Sequence, residues 1–419
     1  MLKKDFRLTR FACYSAYFTM SSVFSLPPLL FVTFHDMYGV SYTLLGTLVL
    51  ANFFTQLAVD LIFTAFSKHF NIPLVVKVMP LITSLGLFIF ALSPVLFPNA
   101  VFAGLLLGTV IFSVASGLSE VLLSPVIAAM PSDNPQRDMS TLHSLYAFGI
   151  FTVVIISTVF FILFGNRNWM FLAMFFAALP IISAALFMAS PMPDMFPADS
   201  QDGVGGAKRR AIGIALCVAC IFFGSCAENT MSSWISGYVE NALNISKAIG
   251  DIIGLAMFAI LLGFARISYA KYGKSIMPVL FIGMVGAVAC YLTAGLSNSS
   301  TVSLIACVLT GLFTAMLWPG SLIMLEEKFP GCGVTAYALM ASGGDLGASF
   351  APQLMGIVVD TVASSELAAE LAESGALTAE QVGMKVGMLV TAIFPAIGAV
   401  VVVIIHKYFK KNSERELGA

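Results

Sequence analysis

From Val101 to Met130 the chain passes through one apolar stretch whose only charged side chain is Glu120. Runs of this kind recur along the whole sequence, separated by polar, Gly or Pro breaks. They start near residues 8, 43, 73, 100, 139, 168, 211, 245, 275, 301, 333 and 382. About 20 apolar residues suffice for a helix to cross a bilayer, and a helix satisfies its own backbone polar groups there. With 59% hydrophobic and 10% charged residues, against roughly 25% charged in a soluble domain, no water-soluble core could hide this much apolar surface. The sequence therefore predicts an all-α integral membrane protein of twelve transmembrane helices in two six-helix halves. Residues 1–190 form the first half, 191–210 a cytoplasmic linker and 211–419 the second half.

The linker reading rests on "SPMPDMFPADSQDGVGGAKRR", rich in Pro, Gly and Asp and closed by three cations. Of the 21 Lys and Arg, all but Arg167, Lys247 and Lys385 fall on the side of the N-terminus. Cytoplasmic loops retain positive charge, so both termini are predicted cytoplasmic. "MLKKDFRLTR" reads as a cytoplasmic tail leading into the first span, since the apolar run after it is longer than a signal peptide's and has no small-residue cleavage site. "GVGGAKRR" lacks the order of a phosphate-binding loop, which leaves ATP-driven transport without support in this chain. A net charge of -1 offers no field for a polyanion, so nucleic acid is not an expected partner. Six of the seven cysteines sit in apolar runs and Cys332 in a short loop. All read as small buried side chains rather than disulfides or metal ligands, Cys217 and Cys220 of "LCVAC" included.

The halves echo each other. "GLSEVLLSP" at 117–125 and "GLFTAMLWP" at 311–319 share Gly-Leu, a later Leu and a final Pro, and "TMSS" recurs at 19–22 and 230–233. A duplicated bundle of this kind places its substrate site near the bilayer midplane, between the halves.

Three acids lie inside the apolar runs. Glu120 is about 15 Å from the end of its span at Met130, and Glu228 about 15 Å from Tyr238, at 1.5 Å per residue. Asp345 in "ASGGDLGASF" is similarly deep, and the neighbouring sequence supplies no Lys or Arg to any of the three. A charged residue at the bilayer centre costs about 2.5–3.5 kcal/mol on insertion scales. A carboxyl in such surroundings favours its neutral form, and one that gains and loses its proton suits proton-coupled transport. The alternative is a neutral carboxyl joining two helices by a hydrogen bond of about 0.6 kcal/mol; for Asp345 the flanking Gly343, Gly344 and Gly347 make packing as good a reading. Asn52 and Gln56 lie one turn apart on the second span, with Asp60 one turn further, so one face of that helix is polar. That stripe either lines the pathway or, through Asp60, holds a cytoplasmic loop. His143 and Tyr146 open the fifth span near its basic end and are candidates for a gate or pathway. Trp234 and Trp318 lie deep enough to offer a flat face to a sugar ring, with core packing as the alternative.

At these residues the chain resembles the major facilitator superfamily, and within it the fucose permease type of sugar/proton symporters. That group's fourth span carries an acid five residues before a Pro, matched by Glu120 and Pro125. Its seventh span reads G-A-E followed by G-S-W, matched by Ala227, Glu228, Ser233 and Trp234, with Ser232 for the Gly. Its tenth span resembles Gly311, Leu312, Phe313, Trp318 and Pro319, with Thr314 in place of Asn. "PQLMGIVVD" is similar to the end of its eleventh. The resemblance spans essentially the whole chain. It implies Glu120 as the proton-linked acid that also touches substrate and Glu228 as a pathway residue. The group's acid in the first span has no counterpart, Ser21 and Ser22 standing there instead, and its Gln and Asn at the start of the fifth appear as His143 and Tyr146.

The expectation is a secondary transporter, not an enzyme, working by alternating access as a monomer in the plasma membrane, the inner membrane of a bacterium. It couples uptake of a sugar or similar small polar solute to a proton through Glu120, with Glu228, Trp234, Asn52, Gln56, His143, Tyr146, Thr314, Trp318 and Asp345 on the substrate or pathway side. No cofactor and no metal is expected. An exporter of amphipathic compounds on the same fold is the alternative, and a non-transporting membrane sensor or scaffold the alternative of another class. The acidic segment "SSELAAELAESGALTAEQ" predicts a short external amphipathic helix.

Overall fold

The computed structural model describes residues 6–66, 69–131, 135–193, 207–329, 334–373 and 377–417. Its elements are helical throughout these residues. In the first half they are α1 (Arg7–Leu29, resuming over Phe31–Tyr38), α2 (Tyr42–Phe66), α3 (Ile72–Ala91), α4 (Val101–Ala128), α5 (Pro135–Phe164) and α6 (Trp169–Ala189). The second half contains α7 (Ala207–Gly237), α8 (Met257–Tyr272), α9 (Ile276–Leu296), α10 (Ser300–Thr314, resuming over Leu317–Lys328), α11 (Val334–Ala363) and α12 (Ala379–Thr391, resuming over Ile393–Leu417). Each starts within four residues of the apolar run that predicts it, except α8, whose run near 245 opens with a short turn at Lys247–Ile249 and a π-helical stretch before the regular helix begins at Met257. Among the described residues, ten stretches are long and apolar enough to cross a membrane, the bent pair that makes α1 would be an eleventh, and Phe148–Phe164 in α5 is a shorter apolar stretch. The acidic segment carries a helix over Glu366–Glu373.

The breaks have identifiable causes. Pro27 and Pro28 lie within the last turn of α1, which bends by 46° where it resumes at Phe31. Pro319 has no N–H to offer the carbonyl four residues earlier, that of Ala315, and α10 is interrupted at that carbonyl. The C-terminal end of α7 and the chain leading into α8 widen into π-helical turns at Tyr238–Ala242 and Gly250–Ala256. Between them Asn244 holds a left-handed backbone at φ 58.

The chain forms two compact units, Met1–Pro197 and Ala198–Ala419. In the first, α4 packs on α3, α2 and α1, around Ala12, Ala16, Met79, Ala115, Leu122 and Val126. In the second, α7 packs on α11, α12 and the second part of α10. Tyr291 of α9 pins α7 from one side by donating to the Ala227 carbonyl at 2.8 Å. Gly347 lets α11 approach α7 closely: a Cβ there would stand 2.3 Å from the Phe222 carbonyl oxygen. Gly347→Ala is expected to lower stability by about 1–3 kcal/mol, the usual range for forcing a methyl into a filled interior. Thermal unfolding in detergent measures it, and an unchanged midpoint would show that the two backbones separate without cost.

Candidate functional site

The polar face of α2 predicted from Asn52, Gln56 and Asp60 lies against a second polar face that the sequence reading missed. Thr109, Ser113, Ser116 and Glu120 follow one another on α4 at spacings of four, three and four, and so share one side of that helix. Ser113 Oγ donates to Asn52 Oδ1 at 2.7 Å, and Gln56 Nε2 donates to the same oxygen at 3.0 Å. One turn on, Gly117 brings the helices together, since a Cβ there would be 3.1 Å from Gln56 Cα. These two contacts set α2 and α4 side by side in the same direction, with Asp60 and Glu120 about one turn beyond Gln56 and Gly117.

The result is a polar seam inside the first half. Asn52, Gln56, Asp60, Thr109, Ser113 and Ser116 are all buried, whereas Glu120 is half-buried. Gln56 Oε1, Thr109 Oγ1 and Ser116 Oγ receive or make no hydrogen bond among the described residues. Among those residues, no hydrogen bond or ion pair ends on the Glu120 carboxylate either. Asn52 and Gln56 thus stand behind Glu120, positioning α4, with Glu120 as the accessible end of the seam.

In the second half the structure corrects the expectation that Glu228 has no cation at hand. Arg266, which its neighbours Lys271 and Lys274 make look like a cytoplasmic loop cation, is a residue of α8. Its Nη2 donates to both carboxylate oxygens of Glu228, at 3.0 and 3.2 Å. Its Nε donates to the Ala315 carbonyl at 2.8 Å, the same carbonyl that Pro319 leaves without an N–H. The apolar stripe Met257, Ile260, Phe264 and Ile267 is exposed on the other side of α8, the arrangement expected where one face meets lipid and the guanidinium turns away from it.

The accessible face of α7 beside Glu228 is polar. Over Gly224–Gly237 the residues that are not buried are Glu228, Asn229 and Ser232. A helix face turned to lipid would present large apolar side chains here; this one presents a carboxylate, an amide and a hydroxyl, chemistry that suits water or a polar solute. Asn229 Nδ2 is committed to the Ser225 carbonyl and hydroxyl at 3.2 and 3.1 Å, which leaves its Oδ1 as an acceptor.

Trp234 is 1% exposed and donates to the Pro352 carbonyl at 3.1 Å. Thr314 is buried and donates to the Thr310 carbonyl. Trp318 rests on Gly344, where a Cβ would lie 2.3 Å from its ring, and Asp345 beside it is 1% exposed. Tyr146 is half-buried and meets Phe24 edge-on at 5.5 Å. The side chains of His143, Ser124 and Pro125 lie outside the described residues, as does Cys332. The remaining six cysteines are buried. Ser21 and Ser22, at the place of the missing first-span acid, are buried and donate to the Phe18 and Thr19 carbonyls of their own helix. Lys247, expected as an outer loop cation, lies 3.6 Å from the fully buried Asp251 and 3.8 Å from Glu240. The spacing of four between Lys247 and Asp251 was the available signal for that pair.

Solved structures share this architecture at low sequence identity. A bacterial homolog of the human lysosomal transporter Spinster, inward-facing and occupied, superposes with a TM-score of 0.75 at 14% identity, covering 96% of this chain and 97% of that one. The xylose transporter XylE from E. coli, in an inward open conformation, gives 0.71 at 13% identity, with 92% and 94% covered. The E. coli fucose:proton symporter FucP gives 0.60 at 14% identity, with 96% and 99% covered. Such likenesses establish the fold alone. No curated protein sequence matches the chain. The sequence model described as Major Facilitator Superfamily matches residues 11–352. With that match over most of its length, and with the described residues helical and divided between two compact units, the chain belongs to the Major Facilitator Superfamily, a family of membrane transporters.

Proposed function

We propose that this transporter is a proton-coupled symporter that takes up a sugar or similar small polar solute by alternating access, with Glu120 carrying the proton. The observation that supports this most is the state of Glu120. It is a half-buried carboxyl inside a membrane span, at the accessible end of a polar seam, and no hydrogen bond or ion pair ends on it among the described residues. A permanently charged group would be costly there, whereas a carboxyl that picks up a proton with the solute and returns it on release crosses without that cost. The polar accessible face of Glu228, Asn229 and Ser232 on α7 offers hydrogen-bonding chemistry that suits a polar solute. FucP, a fucose:proton symporter, and a D-xylose-proton symporter share the fold, which agrees with this reading. The Lys and Arg distribution supports a bacterial inner-membrane setting with both termini in the cytoplasm.

The test is a panel of sugars and sugar derivatives added to cells or right-side-out vesicles while external pH is followed. A substrate is expected to alkalinise the medium as it enters. Uptake that proceeds with no proton movement would remove the coupling; dye retention in a strain lacking the protein would point to export instead.

A further inference from the structure

We infer that the solute carries an anionic group, and that Arg266 is its binding residue with Glu228 as the resident occupant that the solute displaces. The inference rests on the transport reading above and narrows its substrate class from a small polar solute to an acidic one, a sugar acid or related hydroxycarboxylate. A guanidinium keeps its charge at every accessible pH and carries five N–H donors in a rigid fork. In Arg266, Nε is used by the Ala315 carbonyl and Nη2 by Glu228. Nη1, with two donors, makes no hydrogen bond among the described residues, and the side chain is 29% exposed.

Three features separate this arrangement from an ion pair that only joins helices. The pair is accessible, at 29% and 15% of the two side chains. It adjoins the polar face formed by Glu228, Asn229 and Ser232, where Asn229 Oδ1 is available to accept from a hydroxyl. Glu228 is held through one terminal nitrogen, so the parallel two-nitrogen grip that a guanidinium gives a carboxylate is still on offer. The Nε bond to Ala315 fixes the guanidinium whether or not Glu228 stays. A solute carboxylate that engages Nη1 and Nη2 takes the place of Glu228 at the same cation, the released Glu228 carboxylate takes up a proton so that no uncompensated charge is left in the span, and the solute's hydroxyls meet Asn229 and Ser232. A neutral sugar has nothing to exchange with Glu228 and leaves the pair closed.

The exchange makes opposite predictions for the two partners. Glu228→Gln removes the internal competitor and is expected to tighten binding of acids by about five-fold or more. Arg266→Lys keeps the charge but loses the fork, and is expected to weaken binding roughly ten-fold or more, the change that a lost charged hydrogen bond produces. The measurement is ligand-induced thermal stabilisation of the detergent-solubilised protein, titrated with D-glucuronate, D-galacturonate and D-gluconate against D-glucose and D-galactose. Acids that outbind their neutral counterparts, with affinity raised in Glu228→Gln and lowered in Arg266→Lys, support the exchange. Acids that bind no better than neutral sugars in wild type and Glu228→Gln overturn it, as does weaker acid binding in Glu228→Gln. Binding in detergent needs no proton gradient, so this result stands apart from the proton-coupling test.

Discussion

Glu120→Gln is expected to reduce uphill accumulation of solute from roughly fifty-fold to about one, while solute exchange across the membrane continues. The figure follows from charge movement for a neutral solute: one proton entering across 100 mV releases about 2.3 kcal/mol, which sustains a gradient of about fifty, and an acidic solute of the kind Arg266 would hold needs a second proton for the same charge movement. Glutamine has the size and hydrogen-bonding reach of a protonated glutamic acid but cannot release a proton. The transporter is therefore left in its loaded form, able to rock with solute and unable to draw on the gradient. Accumulation in energised vesicles, compared with equilibrium exchange in the same vesicles, separates the two. Asp60 lies at the same level on the neighbouring helix, so Asp60→Asn is the informative companion. If Asp60→Asn abolishes accumulation and Glu120→Gln does not, the proton travels on α2 and the role assigned to Glu120 is wrong.

The helices were legible because lipid imposes a simple rule on sequence: a span must be about 20 apolar residues long, and charges stop it. Eleven of the twelve helix starts follow from that rule, and at α8 the regular helix begins later, at Met257, because its run opens with π-helical turns. The site was less legible, for two physical reasons. Serine and threonine count as neither apolar nor charged, so the row Thr109, Ser113, Ser116 disappears inside an apolar run, although its spacing places it on the face of Glu120. The second reason is reach. An arginine can stand close to a helix end by sequence and extend its guanidinium far along the neighbouring helix. Arg266 lies three residues before the end of its span at Tyr269, with Lys271 in the last turn of α8 and Lys274 in the loop beyond, yet it meets Glu228. No count of charges by loop can see that. What the sequence did carry was Pro319, whose missing N–H implies a free carbonyl at Ala315 and hence a need for some other donor.

That need sets the second large effect. Arg266→Leu is expected to destabilise the protein by on the order of 3 kcal/mol, because it strands two groups at once. The Glu228 carboxylate loses its counter-charge in a span where an uncompensated charge is expensive. The Ala315 carbonyl loses the only donor that the described residues give it. Removing one member of a sealed ion pair costs about 3–5 kcal/mol; here the exposure of 29% and 15% lowers that share, and the stranded carbonyl adds about 1 kcal/mol or more. The two parts can be recovered separately. Adding Glu228→Gln removes the stranded charge and should restore most of the loss. Adding Pro319→Ala then supplies a backbone N–H four residues after Ala315 and should restore the rest, closing the gap in α10. Thermal unfolding of the single, double and triple variants in detergent gives the three increments. Equal losses in Arg266→Leu and in its double with Glu228→Gln would show that the pair carries no energy. A triple variant no better than the double would show that the break at Ala315 is held open by something other than Pro319.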